Sequence, residues 1–573
     1  ELLAPAGDRA CLQAALEAGA DAVYLGLTAL NARRNARNFS EAELASACEL
    51  AHGMGRRVHL TLNIDLAQDE LSRAARMLEL ASRLKVDAVL VRDPALLALK
   101  AHFPELEYHL STQACVASSA DVEAARELGA RRVVLARELS LSEIAAASQV
   151  EGVETEVFAL GALCFSVSGR CLLSSWVGGR SGNRGQCTSP CRVAWTLDGK
   201  PGGTPLSPHD VSLAHRVGDL RAAGVRALKI EGRMKNPSWV RSAVGLLRKA
   251  IDGAATPEEL SREAQRRPAT ARRAVSSAFL DGLRHTLVDP PGAESEQEPE
   301  GPAADAKKPA EPPIREPAAA VLREADALAH PGPRRAPDRV RLSSDQAPIF
   351  LAKVQPPAGA IVEGLSPESL RALVQAHPAV PMVAALPGVF FEDERGQVEA
   401  LATEAAKLGV RVEANSWGGW LLARRSGARM VAGPGLGLLN ALAARELLRR
   451  GFEEATASVE TDALKLDALV SRAPLPCSAV VFGRPALLST RVELSSKVAG
   501  AELEDRRSVR LRARRERSLW ELRPVEPFDL RAGRLPASLA HAVVDLVGSP
   551  DPVAEWEQGA ERSTRFNYER TLS

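Results

Sequence analysis

Short apolar runs alternate with amphipathic stretches along the first 235 residues of the chain. The apolar runs predict eight buried strands, which are Leu2–Ala4, Ala22–Leu25, Val58–Leu62, Ala88–Val91, Tyr108–Leu110, Val133–Ala136, Glu156–Ala159 and Ala227–Ile230. Most of the intervals between them hold 12–25 residues with helical periodicity. This alternation predicts an α/β fold with an N-terminal TIM-like (β/α)8 barrel over residues 1–285. A doubly wound open sheet is the alternative, because periodicity does not show closure.

The composition changes after this region. Eleven prolines lie between Pro290 and Pro337, together with many alanine and glutamate residues. Such a stretch cannot bury enough apolar surface to fold on its own. It predicts a disordered Pro/Ala/Glu-rich linker over residues 286–339.

A folded pattern returns after residue 340, and part of it repeats the first half. The sequence AAREL at 124–128 reappears at 443–447, and three later pairs keep the register: Gly129 and Gly451, Glu138 and Glu460, Gly161 and Gly483. Ala486 stands where the first copy has Cys164, and no cysteine follows it. We therefore predict a degenerate α/β repeat without a metal site over 340–500, followed by a small basic, β-containing C-terminal region over 501–573.

Bulk composition and net charge exclude few classes of function. The 573 residues are 45% apolar and 25% charged with a net charge of +1, as in ordinary globular proteins. Because the chain has neither an apolar run of 18 residues nor a secretory start, we expect a cytoplasmic protein with no membrane partner. A local basic patch would suffice for RNA. Seven arginines form such a segment, or simply a solvated strand and turn: Arg506, Arg507, Arg510, Arg512, Arg514, Arg515 and Arg517.

Four of the eight cysteines lie within 28 residues, in the pattern Cys164-x6-Cys171-x15-Cys187-x3-Cys191. In a cytoplasmic protein this clustering indicates metal binding rather than disulfides. Thiolates suit iron–sulfur clusters and zinc, and zinc sites usually show closer pairs than these. The spacing and the surrounding glycines favour an iron–sulfur cluster, with zinc or no metal as alternatives.

Polar residues follow nearly every predicted strand. Because barrel enzymes place their chemistry at the carboxyl ends of the strands, these side chains should line one cavity beside the cysteines. The predicted substrate-binding residues among them are Asn63, Asp93, Gln113, Arg137 and Lys229, and the predicted catalytic residues are Glu138, Glu231 and Arg233. The two glutamates are the candidates for proton transfer.

A glycine-rich segment, Gly178–Gly185, lies between the cysteines and carries two arginines. It lacks the terminal Gly-Lys-Ser/Thr of a Walker loop, so nucleoside triphosphate binding is not expected. Arg180 and Arg184 could instead hold a phosphate or a carboxylate, and we predict that both bind substrate.

Several of these segments resemble signatures of the peptidase U-32 (U32, collagenase-like) family. They are LLAPAG at 2–7, STQ at 111–113, RELS at 137–140, SGRC at 168–171 and KIEGR at 229–233. The stretch 178–192 most resembles the long members that act as 23S rRNA 5-hydroxycytidine synthases. The resemblance implies a 4Fe–4S cluster on the four cysteines and oxygen-independent 5-hydroxylation of a cytidine in 23S rRNA. It also implies a small-molecule oxygen donor, with prephenate as the candidate co-substrate.

Other functions remain open at this point. Relatives hydroxylate a tRNA uridine or a quinone precursor, and the family name implies a peptidase, although no Ser/His/Asp order or His-Glu-x-x-His motif supports one. A non-enzymatic RNA-binding scaffold is a further alternative, and the oligomeric state stays open. Two departures from the family pattern, Leu160 in place of histidine and Val167 in place of tyrosine, imply a changed substrate or a lower activity.

Overall fold

The computed structural model describes residues 1–266, 274–285, 287–288, 313–327 and 338–568. Up to residue 288 the described strands are β1 Leu2–Pro5, β2 Ala22–Leu25, β3 Arg57–Leu62, β4 Ala88–Val91, β5 Glu107–Leu110, β6 Arg132–Val134, β7 Glu154–Ala162, β8 Thr196–Leu197, β9 Lys200–Pro201, β10 Asp210–Ser212, β11 Ala227–Glu231 and β12 Val275–Ser276. The helices of this part are α1 Arg9–Glu17, α2 Glu41–Gly53, α3 Leu71–Arg83, α4 Pro94–Leu99, α5 Ser119–Glu127, α6 Leu141–Ser148, α7 Leu173–Gly178, α8 Val217–Ala222, α9 Pro237–Asp252 and α10 Pro257–Arg266. No helix within the described ranges is long and apolar enough to span a bilayer.

The remaining described strands are β13 Arg339–Ser343, β14 Ala360–Glu363, β15 Met382–Ala385, β16 Arg411–Ala414, β17 Met430–Ala432, β18 Phe452–Thr456, β19 Cys477–Gly483, β20 Leu488–Thr490, β21 Glu502–Glu504, β22 Arg510–Glu516, β23 Leu519–Pro524, β24 Phe528–Asp529 and β25 Ala542–Asp545. The helices are α11 Glu316–Ala327, α12 Gln346–Leu351, α13 Pro367–Ala376, α14 Arg395–Lys407, α15 Trp417–Arg425, α16 Ala441–Arg449, α17 Ala463–Val470, α18 Ser496–Ala499 and α19 Pro552–Gln558.

The N-terminal strands close a parallel barrel. Strands β1 to β7 pair in order, and β11 pairs with both β1 and β7. This closure confirms the predicted (β/α)8 barrel and excludes the open sheet. Between β7 and β10 the chain forms a long connection, residues 163–209, which we call the cysteine loop because it carries all four clustered cysteines. Strand β10 then returns antiparallel to β7.

The predicted degenerate repeat is a second parallel barrel. This confirms the α/β repeat and shows that the repeat, too, closes with eight strands. Strands β13 to β19 pair in order, and β25 closes the ring by pairing with β13 and β19. Its last strand lies inside the region 501–573, because the hairpin of β22 and β23 intervenes between the seventh and eighth strands. A six-stranded sheet of β20, β23, β22, β21, β8 and β9 joins that hairpin to the cysteine loop and forms the predicted C-terminal β-containing region.

Two glycines show that the barrels share one construction. Gly161 and Gly483 end the seventh strand of each barrel with φ of +123° and +149°. A Cβ atom on Gly161 would lie 2.2 Å from the backbone oxygen of Glu231, and one on Gly483 would lie 2.7 Å from that of Asp545. Both positions therefore require glycine, because the seventh strand approaches the eighth too closely for any side chain.

The barrels pack through helices that exchange partners symmetrically. The helix after the fourth strand of each barrel lies on the helix after the fifth strand of the other, as α4 on α16 and α15 on α5. Hydrogen bonds fix both contacts at the helix N-termini. The Asp121 carboxylate accepts from the backbone N–H of Gly418 at 2.8 Å, and the Asn440 side chain donates to Asp93 at 3.2 Å.

Part of the predicted linker is helical. Helix α11 buries Ala318, Leu322 and Ala325 and packs against α3 and α16. The apolar stripe of this helix explains why a segment with a linker-like composition folds here. The predicted linker residues 286, 289–312 and 328–337 lie outside the described residues.

Candidate active site at the mouth of the first barrel

The carboxyl ends of the first barrel's strands surround a small cavity of about 30 Å³, which we call the first mouth. Six predicted site residues line it: Asn63, Gln113, Arg137, Lys229, Glu231 and Arg233. The cavity has room for about one water molecule. The expectation that strand-end polar groups converge is therefore correct for these six.

A carboxylate flanked by two arginines is the electrostatic centre of the first mouth. Glu231 receives Arg137 Nη2 at 2.9 Å and Arg33 Nε at 3.3 Å. Burial alone raises the pKa of Glu231, but the arginines outweigh it and lower that pKa to about 2. Glu231 is therefore a permanent anion near neutral pH, which suits it to holding the arginines better than to the predicted proton transfer.

Arg233 is buried beside this pair. Its guanidinium donates to Asn31 Oδ1 at 2.9 Å and to Thr61 Oγ1 at 3.3 Å. Burial lowers the pKa of Arg233 to about 10, so the group stays protonated at neutral pH. Because both of these hydrogen-bond partners are neutral, its charge remains available to an anionic ligand.

Lys229 forms the floor of the first mouth. Its ammonium group lies 2.8 Å from the Glu156 carboxylate and 4.5 Å from the centre of the Tyr24 ring. Burial lowers the pKa of Lys229, and Glu156 opposes that shift. The partner of this lysine is thus Glu156 on β7, whereas the neighbouring Glu231 binds arginines.

The first mouth has an excess of positive charge. Its four cations are Arg33, Arg137, Lys229 and Arg233, whereas Glu156 and Glu231 are the carboxylates paired with them. Low-dielectric walls strengthen such a field. The arrangement therefore favours phosphate or carboxylate groups.

Two amides order the rim of the mouth. Asn63 donates to Ser111 Oγ at 3.1 Å and accepts from the backbone N–H of Ala32 at 3.1 Å. Gln113 accepts from Arg92 at 3.3 Å. Both side chains are held in fixed orientations next to the small cavity.

Three predicted substrate-binding residues lie elsewhere. Asp93 is buried between the barrels, where it caps α4 and binds Asn440. Arg184 is buried against Glu70 at 2.8 Å. Arg180 is exposed on the cysteine loop. The partners of both residues are structural: Asp93 binds the second barrel, whereas Arg184 binds Glu70 and the backbone oxygen of Asp65 in the first. The sequence alone reveals neither contact.

Glu138 is a buried carboxyl group with a raised pKa. It is 1% exposed, and among the described residues neither of its oxygens has a hydrogen-bond partner. Burial raises the pKa of Glu138 to about 7. It therefore has the property that Glu231 lacks, a proton that can move near neutral pH.

The four clustered cysteines share one region of the cysteine loop. Cys187 is exposed and the other three are partly buried. Burial raises the pKa of Cys171, and the thiols of Cys164, Cys187 and Cys191 raise it further. Within the described part of the chain no three metal-binding side chains converge to the spacing of a metal site. In donor chemistry, four neighbouring thiols fit a four-thiolate centre.

Comparison with known proteins identifies the family of this chain. The model of Peptidase family U32 matches residues 7–288. The tRNA hydroxylation protein P1 of Bacillus subtilis is 34% identical over 299 residues, which cover 49% of this chain and 71% of that protein. The chain belongs to peptidase family U32.

Two other relatives have names that indicate different functions, an rRNA-modifying synthase and a protease. The 23S rRNA 5-hydroxycytidine C2501 synthase of Escherichia coli is 38% identical over 258 residues, 44% of this chain and 39% of that protein. An uncharacterized protease of Methanocaldococcus jannaschii is 38% identical over 267 residues, 44% of this chain and 65% of that protein. The match thus spans less than two-thirds of either relative.

The two departures from the U32 pattern are packed side chains. Leu160 is buried on β7, between Ser212 on β10 and Ile230 on β11. Val167 is fully buried, and its N–H donates to the backbone oxygen of Ser489 at 2.7 Å. Within the described residues neither lines the first mouth.

Sequence reasoning missed two residues that complete this U32 site. Asn31 and Arg33 reach the mouth from the loop after β2, where they bind Arg233 and Glu231. The polar run NARRNARN at 31–38 begins six residues after the end of the predicted strand Ala22–Leu25 and was the available signal. Tyr24 and Thr61 were hidden inside apolar strands.

Proposed function

We propose that this U32 chain is an iron–sulfur RNA hydroxylase that converts a cytidine of 23S rRNA to 5-hydroxycytidine without molecular oxygen. The observation that supports this most is that the cysteine loop, with its four cysteines, begins at the carboxyl end of β7, the end of the barrel that carries the mouth with excess positive charge. This loop contacts the segment that carries Arg33 of the mouth, because the backbone N–H of Arg34 donates to the backbone oxygen of Gly185 at 3.1 Å. The names of the Escherichia coli and Bacillus subtilis relatives agree with RNA hydroxylation.

The protein's own side chains have distinct roles in this proposal. Arg33, Arg137 and Arg233 hold anionic groups, either an RNA phosphate or the carboxylates of the oxygen donor, for which prephenate is the candidate. Glu231 fixes the orientation of the first two arginines. Hydroxylation replaces C5–H with C5–OH, and the oxygen donor is reduced by the two electrons that C5 loses. Glu138 is the candidate to take up the proton released from C5, because it is buried next to Arg137 of the mouth and its pKa is about 7, although it does not line the cavity itself.

We assign a 4Fe–4S cluster to Cys164, Cys171, Cys187 and Cys191. When bound, it would supply a redox-active iron site next to the first mouth. The loop that holds these thiols is braced on both sides. Asn183 donates to the backbone oxygen of Cys171 at 3.0 Å, and Arg170 donates to the Gly435 oxygen of the second barrel at 2.8 Å.

The test is nucleoside mass spectrometry of rRNA and tRNA from a deletion strain complemented with variants. Wild type should restore 5-hydroxycytidine in rRNA, whereas Cys187→Ser should restore none and should lose iron and sulfide. Because Cys187 is exposed, this change should leave the fold intact. The matched control is Cys48→Ser, at a buried cysteine outside the loop, and it should behave as wild type.

Other results would redirect the proposal. Full restoration by Cys187→Ser would contradict a role for the cluster. Loss of a tRNA hydroxyuridine with unchanged rRNA would assign the tRNA reaction instead. Unchanged RNA, together with gelatin cleavage that survives removal of iron, would favour the peptidase that the Methanocaldococcus jannaschii name suggests.

A further inference from the structure

The second barrel has a much larger cavity than the first. A space of about 530 Å³ opens at the carboxyl ends of its strands, and we call it the second mouth. Small-molecule sites have volumes of about 300–1,000 Å³. Enzymes with this fold bind their ligands at the same end of the barrel. The second mouth therefore has both the size and the place of a binding site.

The walls of the second mouth are largely apolar. Leu386 and Val389 follow β15, Leu401 comes from α14, Val480 from β19 and Leu519 from β23. These side chains come from separate elements and face one space. They would cover the apolar body of a ligand.

Charged groups form the floor. Arg341 and Arg523 line the cavity together with the carboxyl groups of Glu363, Glu521 and Asp545, and Arg341 also pairs with Glu413, which is fully buried. Arg341 lies 2.6 Å from Glu413, and Arg523 lies 2.8 Å from Glu521. Each of these arginines thus already has a close carboxylate. The other lining charges are also mostly paired, as Arg92 with Asp65, Arg517 with Glu394 and Glu516 with Arg514. Arg170 binds backbone oxygens, so the carboxyl groups of Glu363, Asp545 and Glu460 outnumber this one remaining cation.

Glu363 faces the cavity without a close partner. Its carboxylate is 3.8 Å from both Arg341 and Arg523, and its side chain is 25% exposed. Burial raises the pKa of Glu363 to about 7, and the nearby Asp545 raises it further against the arginines. A cationic ligand in the cavity could approach this carboxyl group more closely than either arginine does.

The second mouth also borders the cysteine loop. Arg170, next to Cys171, donates to the backbone oxygens of Gly388 at 2.7 Å and Asn415 at 3.0 Å in its wall. Ala486, the counterpart of Cys164 in the repeat, lines the cavity. The loss of the cysteine at this position leaves an open space where the first barrel has its metal-binding loop.

We propose that the second mouth binds a small organic cation, an amine or amidine on an apolar body, with Glu363 and Asp545 as its counter-charges. An anionic ligand would meet surplus carboxylates there, in contrast to the first mouth. The site is independent of the RNA reaction proposed above, so either can fail alone.

The test is isothermal titration calorimetry on the whole chain as purified, with its iron content recorded, at pH 8. Benzamidine is the cationic probe, and benzamide is its neutral counterpart of nearly the same shape. We expect benzamidine to bind at least about tenfold more tightly, which corresponds to roughly 1.4 kcal/mol. Equal affinities, or no binding of benzamidine, would overturn the proposal. This comparison needs no variant and so does not depend on any variant's folding.

Two variants locate the binding. Glu363→Gln should weaken benzamidine binding about tenfold or more, and Ala486→Trp should abolish it by filling the cavity. The matched control is Glu453→Gln, at an exposed glutamate that pairs with Arg429 near the opposite end of the barrel. A folded Ala486→Trp protein that binds benzamidine as tightly as wild type would place the site elsewhere and overturn the proposal.

Discussion

The two barrels of this chain share a scaffold, but their mouths differ in size and in charge balance. The first mouth encloses about 30 Å³ among four cations and two carboxylates. The second encloses about 530 Å³ and is lined by six carboxyl groups and five guanidinium groups. Backbone requirements such as Gly161 and Gly483 are kept in both. The repeat has therefore preserved what closes a barrel and changed what its strand ends present to a ligand.

One carboxyl group in each mouth shows how these different surroundings change a pKa. Both Glu231 and Glu363 end a strand, yet the pKa is about 2 for Glu231 and about 7 for Glu363. Burial raises both values. Two arginines within 3.3 Å reverse the effect at Glu231, whereas the arginines near Glu363 are 3.8 Å away and already paired. The same substitution should thus have opposite effects in the two mouths.

The largest effect is expected for Glu231→Gln. It leaves Arg33 and Arg137 as buried charges without their carboxylate, so the free energy of unfolding should fall by about 3 kcal/mol. The reaction proposed for this mouth should slow about 100-fold, because the misplaced arginines no longer hold anionic groups. Urea unfolding and nucleoside mass spectrometry measure the two quantities.

A matched control separates this effect from a general one. Glu17→Gln removes a carboxylate that is 40% exposed and pairs with Arg241 on the surface, so its effect on unfolding should stay below about 0.5 kcal/mol. Equal stability of the two variants would contradict the central role of Glu231.

The pH dependence of the free energy of unfolding has a definite sign as well. A depressed pKa means that the stabilisation by Glu231 is present above about pH 4.3 and is lost as the pH falls towards 2.

The sequence predicted the first mouth better than the second for a physical reason. Strand ends in the first barrel carry charged residues directly after apolar runs, so Arg137, Glu231 and Arg233 were identifiable from spacing alone. The second mouth depends on Arg523, which β23 brings in from outside the barrel, and on Glu363, which reads as an ordinary surface charge. Such long-range placement leaves no local periodicity.

The interface between the barrels was equally invisible in the sequence. Asp93 has the position of a strand-end functional residue, but its carboxylate caps α4 and binds Asn440 of the other barrel. A capping aspartate and a catalytic one follow a strand with the same spacing. Only the packing of α4 on α16 distinguishes them.

The second prediction is that Glu363→Gln stabilises the protein at alkaline pH. The unfolded chain ionises this group near pH 4.3, whereas in the folded chain it keeps its proton up to about pH 7, so wild-type stability falls as the pH rises between these values. The groups facing Glu363 are Arg341, Arg523, Asp545 and Glu521. Both arginines keep a close carboxylate in the variant.

The expected gain at pH 8 is about 1–2 kcal/mol, and at pH 4 the two proteins should agree within about 0.5 kcal/mol. Chemical denaturation at both pH values measures it. Asp252→Asn, at a surface ion pair with Arg248, serves as the control without a pH-dependent gain. Destabilisation by Glu363→Gln at pH 8 would show that the carboxylate is required as a partner of the arginines, as Glu231 is in the first mouth.

The smallest effect is expected on the basic strand β22, which the sequence suggested for RNA docking. Arg512 is 70% exposed but lies 3.1 Å from Glu502, and Arg515 lies 2.7 Å from Glu493. Since each phosphate contact must compete with a carboxylate already present, Arg512→Ala should weaken binding of an rRNA fragment less than about threefold. Fluorescence anisotropy at two salt concentrations measures the affinity and its salt slope. A tenfold loss, with a slope reduced by about 0.9, would show a direct phosphate contact and make this sheet a docking surface. A small change would leave the positively charged first mouth as the stronger candidate for the RNA.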